Sequence, residues 1–164
     1  RKAWLQGLSP KENREIPPLL YATVYRLKAD FPALRIILNG GIDTLTAVGA
    51  HLAAGVDGVM VGRKAYADPY WLTDVESAFL DRTCTWQRPS RAAIVRAMAD
   101  YAEQEMREGV RLHHITRHML GLYHGRPGAR AWRRFLSTRG CAADAGPELL
   151  IESLQMVAGE DAGF

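Results

Sequence analysis

The sequence predicts an α/β segment followed by an all-α segment, and three observations predict it. Two short apolar runs, Ile36–Leu38 and Val59–Val61, flank a helical pattern, the signature of a strand–helix–strand unit. Beyond Ser90 the apolar residues recur only with helical spacing, and no strand pattern returns. Between them, 81–90 holds Thr, Gln, Arg and Pro with little periodicity, so it reads as a linker between domains at 1–80 and 91–164.

Residues 1–19 carry Gly7, Ser9-Pro10 and Pro17-Pro18, which rule out a single regular element and leave mostly a long loop. Its cations, Arg1, Lys2, Lys11 and Arg14, suit either a phosphate-backbone reader or a solvated connector. A helix is expected over Leu20–Asp30, with Leu20, Val24 and Leu27 in register and Phe31-Pro32 after it. Ile36, Ile37 and Leu38 read as a strand buried on both faces. Thr44 is the expected N-cap of a helix to Ala54, with Leu45, Val48 and Leu52 in helical spacing and Gly55 as its stop. A right-handed crossover then makes the two strands parallel neighbours, about 5 Å apart at their carboxyl ends.

That geometry collects Asn39-Gly40-Gly41 and Gly62-Arg63 at one sheet edge. Glycines let a ligand approach backbone N–H groups, and an arginine offers a planar fork of donors. A helix start with Asp68 as cap and Pro69 in its first turn would add a favourable dipole. Together these fit a phosphomonoester clamp; the plainer reading is two strand ends that turn the chain. In barrel folds, phosphate sits at the carboxyl ends of the last strands, which favours the clamp. If this unit closes a barrel, the other strands lie elsewhere, and the chain is expected to be the C-terminal part of a longer protein.

Pro69–Leu80 reads as a helix with a core stripe of Trp71, Leu72, Val75 and Phe79. Ser90 caps the next, to about Glu108, with Ile94, Met98, Ala102 and Met106 on one face and Gly109 at its end. Helices near Leu112–His124, Ala129–Ser137 and Pro147–Ala158 complete a small bundle.

The 164 residues are 48% apolar and 24% charged, as in a globular chain, and no apolar run is long enough to span a bilayer. Cys84 and Cys141 have neither metal spacing nor disulfide density, so a reducing cytoplasm is expected. The net charge of +3 is unevenly placed. Eight arginines, four histidines and one acid, Glu108, lie between Arg107 and Arg139, whereas 140–164 holds five acids and no Lys or Arg. On a helical wheel Leu112, Ile115, Met119, Leu122 and Tyr123 face inward. His113, His114, Arg117, His118 and His124 face outward, with Gly121 leaving the backbone approachable. After the turn at Gly125, Pro127 and Gly128, the next helix sets Ala129, Trp132, Phe135 and Leu136 against Arg130, Arg133 and Arg134. Exposed faces usually mix signs; two in succession without an acid point to a polyanion such as nucleic acid, with salt-sensitive binding. His114 and His118 have metal-like i,i+4 spacing, but no carboxylate or cysteine is near in sequence, so no metal is expected.

Several stretches resemble the tRNA-dihydrouridine synthases, most closely the bacterial A type. They are Arg1–Leu5, Gly7–Leu19, Asn39–Ile42, Gly58–Arg63, Ile115–Leu122, Pro127–Arg130 and Trp132–Arg134. The long first loop and Arg117-His118-Met119-Leu120-Gly121-Leu122 are the specific parts; Gly-Gly and Gly-Arg are common to flavin barrels. The resemblance implies a TIM (β/α)8 barrel that binds FMN, followed by a helical domain that helps hold tRNA. It implies reduction of D-loop uridines to 5,6-dihydrouridine, with NADPH as reductant, by a monomeric protein. By the same resemblance Asn39, Gly40, Gly41, Gly62 and Arg63 hold the FMN phosphate, and Lys11, Arg14, Arg130 and Arg133 contact tRNA. The family's proton-donating cysteine lies in an Asn-x-x-Cys-Pro loop, a context that neither Cys84 nor Cys141 has. Alone, this chain is therefore expected to lack reductase activity. A non-catalytic RNA-binding module and an unrelated phosphate-binding barrel enzyme are the competing readings.

Overall fold

A computed structural model describes residues 6–157 except Arg82 and Cys84, with Arg14 described in its backbone only. The resembling stretch Arg1–Leu5 lies outside the described residues. The chain divides into two compact units, Arg1–Gly62 and Arg63–Phe164.

In the first unit, Ser9 and Glu12 form a reciprocal capping box inside the expected loop. The Ser9 N–H and hydroxyl donate to the Glu12 carboxylate at 2.8 and 2.6 Å, and the Glu12 N–H returns to Ser9 Oγ at 3.3 Å. This seeds a 3-10 turn over Glu12–Arg14. Helix α1 (Tyr21–Asp30), strand β1 (Ile37–Asn39), helix α2 (Leu45–Ala53) and strand β2 (Gly58–Met60) follow. The strands are parallel, with Ile37 opposite Gly58, Leu38 opposite Val59 and Asn39 opposite Met60. Thr44 caps α2 by accepting the Ala47 N–H at 3.1 Å.

One packing expectation is corrected here. Of β1 only Leu38 is buried; Ile37 and Met60 stay 54% and 51% exposed, because one face of the strand pair is uncovered by the described residues of the first unit. Helix α1 forms as its spacing predicts, with Leu20 and Leu27 exposed. The face it uses carries Tyr21, Tyr25 and Lys28, one and two turns apart. Lys28 Nζ donates to the Pro32 and Leu34 carbonyls at 3.0 and 2.8 Å and pairs with Asp57 at 2.8 Å. Asp57 also accepts the Ile36 N–H at 2.8 Å, and so joins the approaches to both strands.

The second unit is helical: α3 (Gly62–Ala67, its first residue ending the first unit), α4 (Leu72–Val75), α5 (Arg91–Arg107), α6 (Leu112–Thr116), α7 (Ala129–Arg139) and α8 (Glu148–Ser153). Gly62 and Arg63 thus open a short helix instead of merely ending a strand. Asp68 does not cap the segment at Pro69, because its carboxylate is held by Lys64 at 2.9 Å. That segment begins as a 3-10 turn, Pro69–Trp71, and ends as a π-helix, Glu76–Leu80. The change of pitch breaks the 3.6-residue stripe: Trp71 is buried and Leu72 exposed. Ser90 caps α5, accepting the Ala93 N–H at 3.0 Å.

The expected helix to His124 stops at Thr116. Residues 117–124 continue as successive i→i+3 turns, with the N–H groups of His118, Met119, Leu122 and His124 bonded three residues back. One core is gathered from α5 to α8, with Val95, Ala102, Tyr123, Trp132 and Leu150 fully enclosed and Leu112 and Leu136 nearly so. Tyr70 packs on this core, its ring stacked under the Arg91 guanidinium at 3.7 Å, while Arg91 Nε donates to the Leu122 carbonyl at 2.9 Å.

Candidate phosphate-binding loop and nucleic-acid interface

The first unit builds a glycine loop at the carboxyl end of β1. Parallel pairing ends both strands on the same edge, with Asn39 beside Met60 and Gly62 two residues further on. Asn39, Gly41 and Gly62 are exposed and Gly40 is half-buried. Gly40 and Gly41 hold φ of +130° and +65°, backbone that side-chain-bearing residues seldom adopt. The Tyr21 hydroxyl donates to the Gly40 carbonyl oxygen at 2.6 Å. Arg63, the next residue after Gly62 and the first of the second unit, is exposed. Within the first unit, the main-chain amides of the glycine loop and the Asn39 carboxamide form a donor set that fits a phosphate dianion chemically.

The second unit builds the basic surface. On α7, Trp132 and Leu136 are buried, while Arg130, Arg133 and Arg134 are exposed. No carboxylate pairs with these three arginines among the described residues. Before it, Leu112, Ile115, Met119, Leu122 and Tyr123 are buried as the wheel predicts, although the backbone changes from helix to turns at Arg117. Arg111, His114, Arg117, His118 and His124 are exposed. Arg117 Nε donates to His118 Nε2 at 3.2 Å, and the His118 ring stands edge-on to exposed Tyr66, with centroids 5.7 Å apart. The His113 and His114 rings lie 4.1 Å apart. Burial lowers the His113 pKa from 6.5, and His114, Arg111 and Arg117 lower it further.

Gly121 is not approachable. A methyl group there would lie 2.3 Å from the Ala67 carbonyl oxygen and 3.0 Å from Pro69 Cδ, because the end of α3 packs directly on it. Lys11 is exposed beside the capping box; Arg14's side chain lies outside the described residues, as does Cys84. Cys141 is exposed and free. Among the described residues no group of three His, Cys, Asp or Glu is placed to hold a metal, and no helix is long and apolar enough to cross a membrane.

Sequence reading passed over Tyr21, Tyr25, His51 and Arg91. The i,i+4 pair of tyrosines on α1 was a visible signal; Arg91, one residue inside α5, left none.

Comparison with known proteins covers both units. The chain is 54% identical over 157 residues to the tRNA-dihydrouridine(20/20a) synthase of Shewanella oneidensis, covering 96% of this chain and 46% of that one. The protein of the same name from Escherichia coli K12 is 53% identical over 158 residues, 96% of this chain and 45% of its own length. That of Synechocystis is 53% identical over 155 residues, 94% and 46% respectively. The chain therefore spans about half the length of the curated relatives it matches. The dihydrouridine synthase family pattern itself runs from residue 4 to residue 157, through the glycine loop and the arginine face alike, and the chain belongs to that family.

Proposed function

We propose that the protein carrying this chain reduces uridines of the tRNA D loop, at the positions 20 and 20a that its relatives' names print, to 5,6-dihydrouridine. It does so in the cytoplasm, as a monomer. The observation that carries this is the exposed, acid-free arginine face of α7 in a chain so close to named tRNA-modifying enzymes. Residues 1–80 supply C-terminal strands and helices of a TIM barrel, 81–90 connect, and 91–164 hold tRNA.

Asn39, Gly40, Gly41, Gly62 and Arg63 hold the phosphate of FMN, amides and guanidinium together neutralising its charge. FMN, when bound, supplies the hydride for the C5–C6 bond of uracil, with NADPH as the reductant. Lys11, Arg14, Arg130 and Arg133 neutralise tRNA phosphates and orient the substrate, which supports extrusion of the target base from its stack. The proton for the second carbon comes from a cysteine in the remainder of the protein, since this chain has no Asn-x-x-Cys-Pro context.

The test uses full-length protein, NADPH and tRNA transcribed without modification. A yellow protein that converts the D-loop uridine, while the 164-residue chain alone converts none, is expected. A full-length protein that holds no flavin, or leaves the uridine intact, overturns the reading.

A further inference from the structure

The Gly40–Gly41 loop is braced from behind by residues to which the proposed reaction gives no part. Tyr21, the first residue of α1, donates its hydroxyl to the Gly40 carbonyl oxygen at 2.6 Å. Leu19 closes the adjoining side: methyl groups at Gly40 and Gly41 would each fall 2.7 Å from one of its Cδ atoms. The Tyr21 ring is itself fixed, 4.5 Å from the buried His51 ring of α2 and tilted at 58° to it. His51 Nδ1 shares a 2.6 Å hydrogen bond with the Tyr25 hydroxyl, one turn along α1. Tyr21 of α1, its ring set against His51 of α2, thus holds this peptide unit.

The consequence follows from peptide geometry. The Gly40 carbonyl and the Gly41 N–H belong to one planar trans unit and point in opposite directions. Holding the carbonyl toward α1 therefore aims the Gly41 N–H away from α1. Without the hydroxyl, two consecutive glycines have enough backbone freedom to turn that amide elsewhere.

We propose that Tyr21 is a positioning residue, whose hydrogen bond to Gly40 presents the Gly41 amide to the phosphate of the cofactor. This rests on the reading that the glycine loop binds phosphate. The readout is selectivity: riboflavin shares the isoalloxazine of FMN and lacks its phosphate, so a general loss of structure weakens both.

The experiment measures dissociation constants of FMN and of riboflavin for the full-length apoprotein by flavin fluorescence. Tyr21→Phe, which keeps the ring against His51, is expected to weaken FMN about tenfold and riboflavin less than twofold. Unchanged FMN affinity, or equal weakening of both flavins, overturns the proposal. Arg63→Ala separates the two readings. If it weakens FMN selectively and Tyr21→Phe does not, the positioning role fails and the clamp stands; if neither variant is selective, the clamp fails as well. Should Tyr21→Phe not fold, Leu19→Ala is the deciding variant: about threefold selective loss of FMN supports the brace, and a non-selective loss or none overturns it.

Discussion

The indole N–H of Trp132 donates to the main-chain carbonyl of Met119 across 3.4 Å, with both residues buried in the helical core. The contact ties α7 to the turns that follow α6, so the two basic arcs share one frame. The bond is long; most of the stabilisation comes from the buried indole, which also lies 4.8 Å from the Tyr123 ring. Trp132→Ala should cost about 3–5 kcal/mol in urea unfolding and abolish tRNA binding with it. Trp132→Phe should cost far less and retain binding.

Gly121→Ala tests the close approach of α3. Its methyl group would meet a backbone carbonyl at 2.3 Å, and backbone yields less readily than a side chain. About 1–3 kcal/mol of destabilisation is expected from overpacking, read as a lowered thermal midpoint. An unchanged midpoint would mean that α3 moves aside at no cost.

Features whose cause is local were legible in the sequence. Thr44 and Ser90 cap the helices they were expected to cap, because each bonds an N–H three residues away. The parallel pairing of the strands followed from the length of the unit between them. Features set by distant partners were not legible. Tyr21 reaches Gly40 across 19 residues, a contact that leaves no periodicity behind. Gly121 reads as an open backbone until Ala67 is placed on it. The apolar stripe through Leu72 assumed one helical pitch where the chain uses three. The inward set from Leu112 to Tyr123 survived a change from helix to 3-10-like turns, since both geometries return to the same side after three or four residues.

Asp57 gives the first unit an acid-sensitive joint. The Lys28 hydrogen bond and then the Ile36 N–H hold its carboxyl below the ordinary 3.8. A folded pKa below the unfolded one stabilises at pH above 3.8 and loses that contribution as the pH falls through the folded value. The protection factor of the Ile36 amide in hydrogen exchange should therefore drop below about pH 4. In Asp57→Asn it should be low at neutral pH and show no such drop.

His113 titrates on the basic surface with the opposite charge logic. Burial first, then His114, Arg111 and Arg117, disfavour its proton, so its midpoint by NMR should lie below 6.5 in the free protein. Phosphates laid on this surface would offset the arginines and raise that midpoint. Binding then takes up a proton, and tRNA affinity should rise as the pH falls through the window between the two midpoints. His113→Gln should flatten that part of the profile; an unshifted His113 midpoint in the complex would place the phosphates elsewhere.

Charge reversal at Arg130 and Arg133 is the most direct probe of the interface. Both side chains are exposed and neither pairs with a carboxylate among the described residues, so folding stability should change by less than about 0.5 kcal/mol. Each neutralised phosphate releases counterions and adds about 0.7–0.9 to the slope of log K against log salt. The double variant Arg130→Glu, Arg133→Glu in the full-length protein should therefore bind tRNA weakly, with the slope reduced by about two. Filter binding between low and physiological salt reads both quantities. A weaker affinity with an unchanged slope would mean that these arginines shape the surface without touching the RNA backbone.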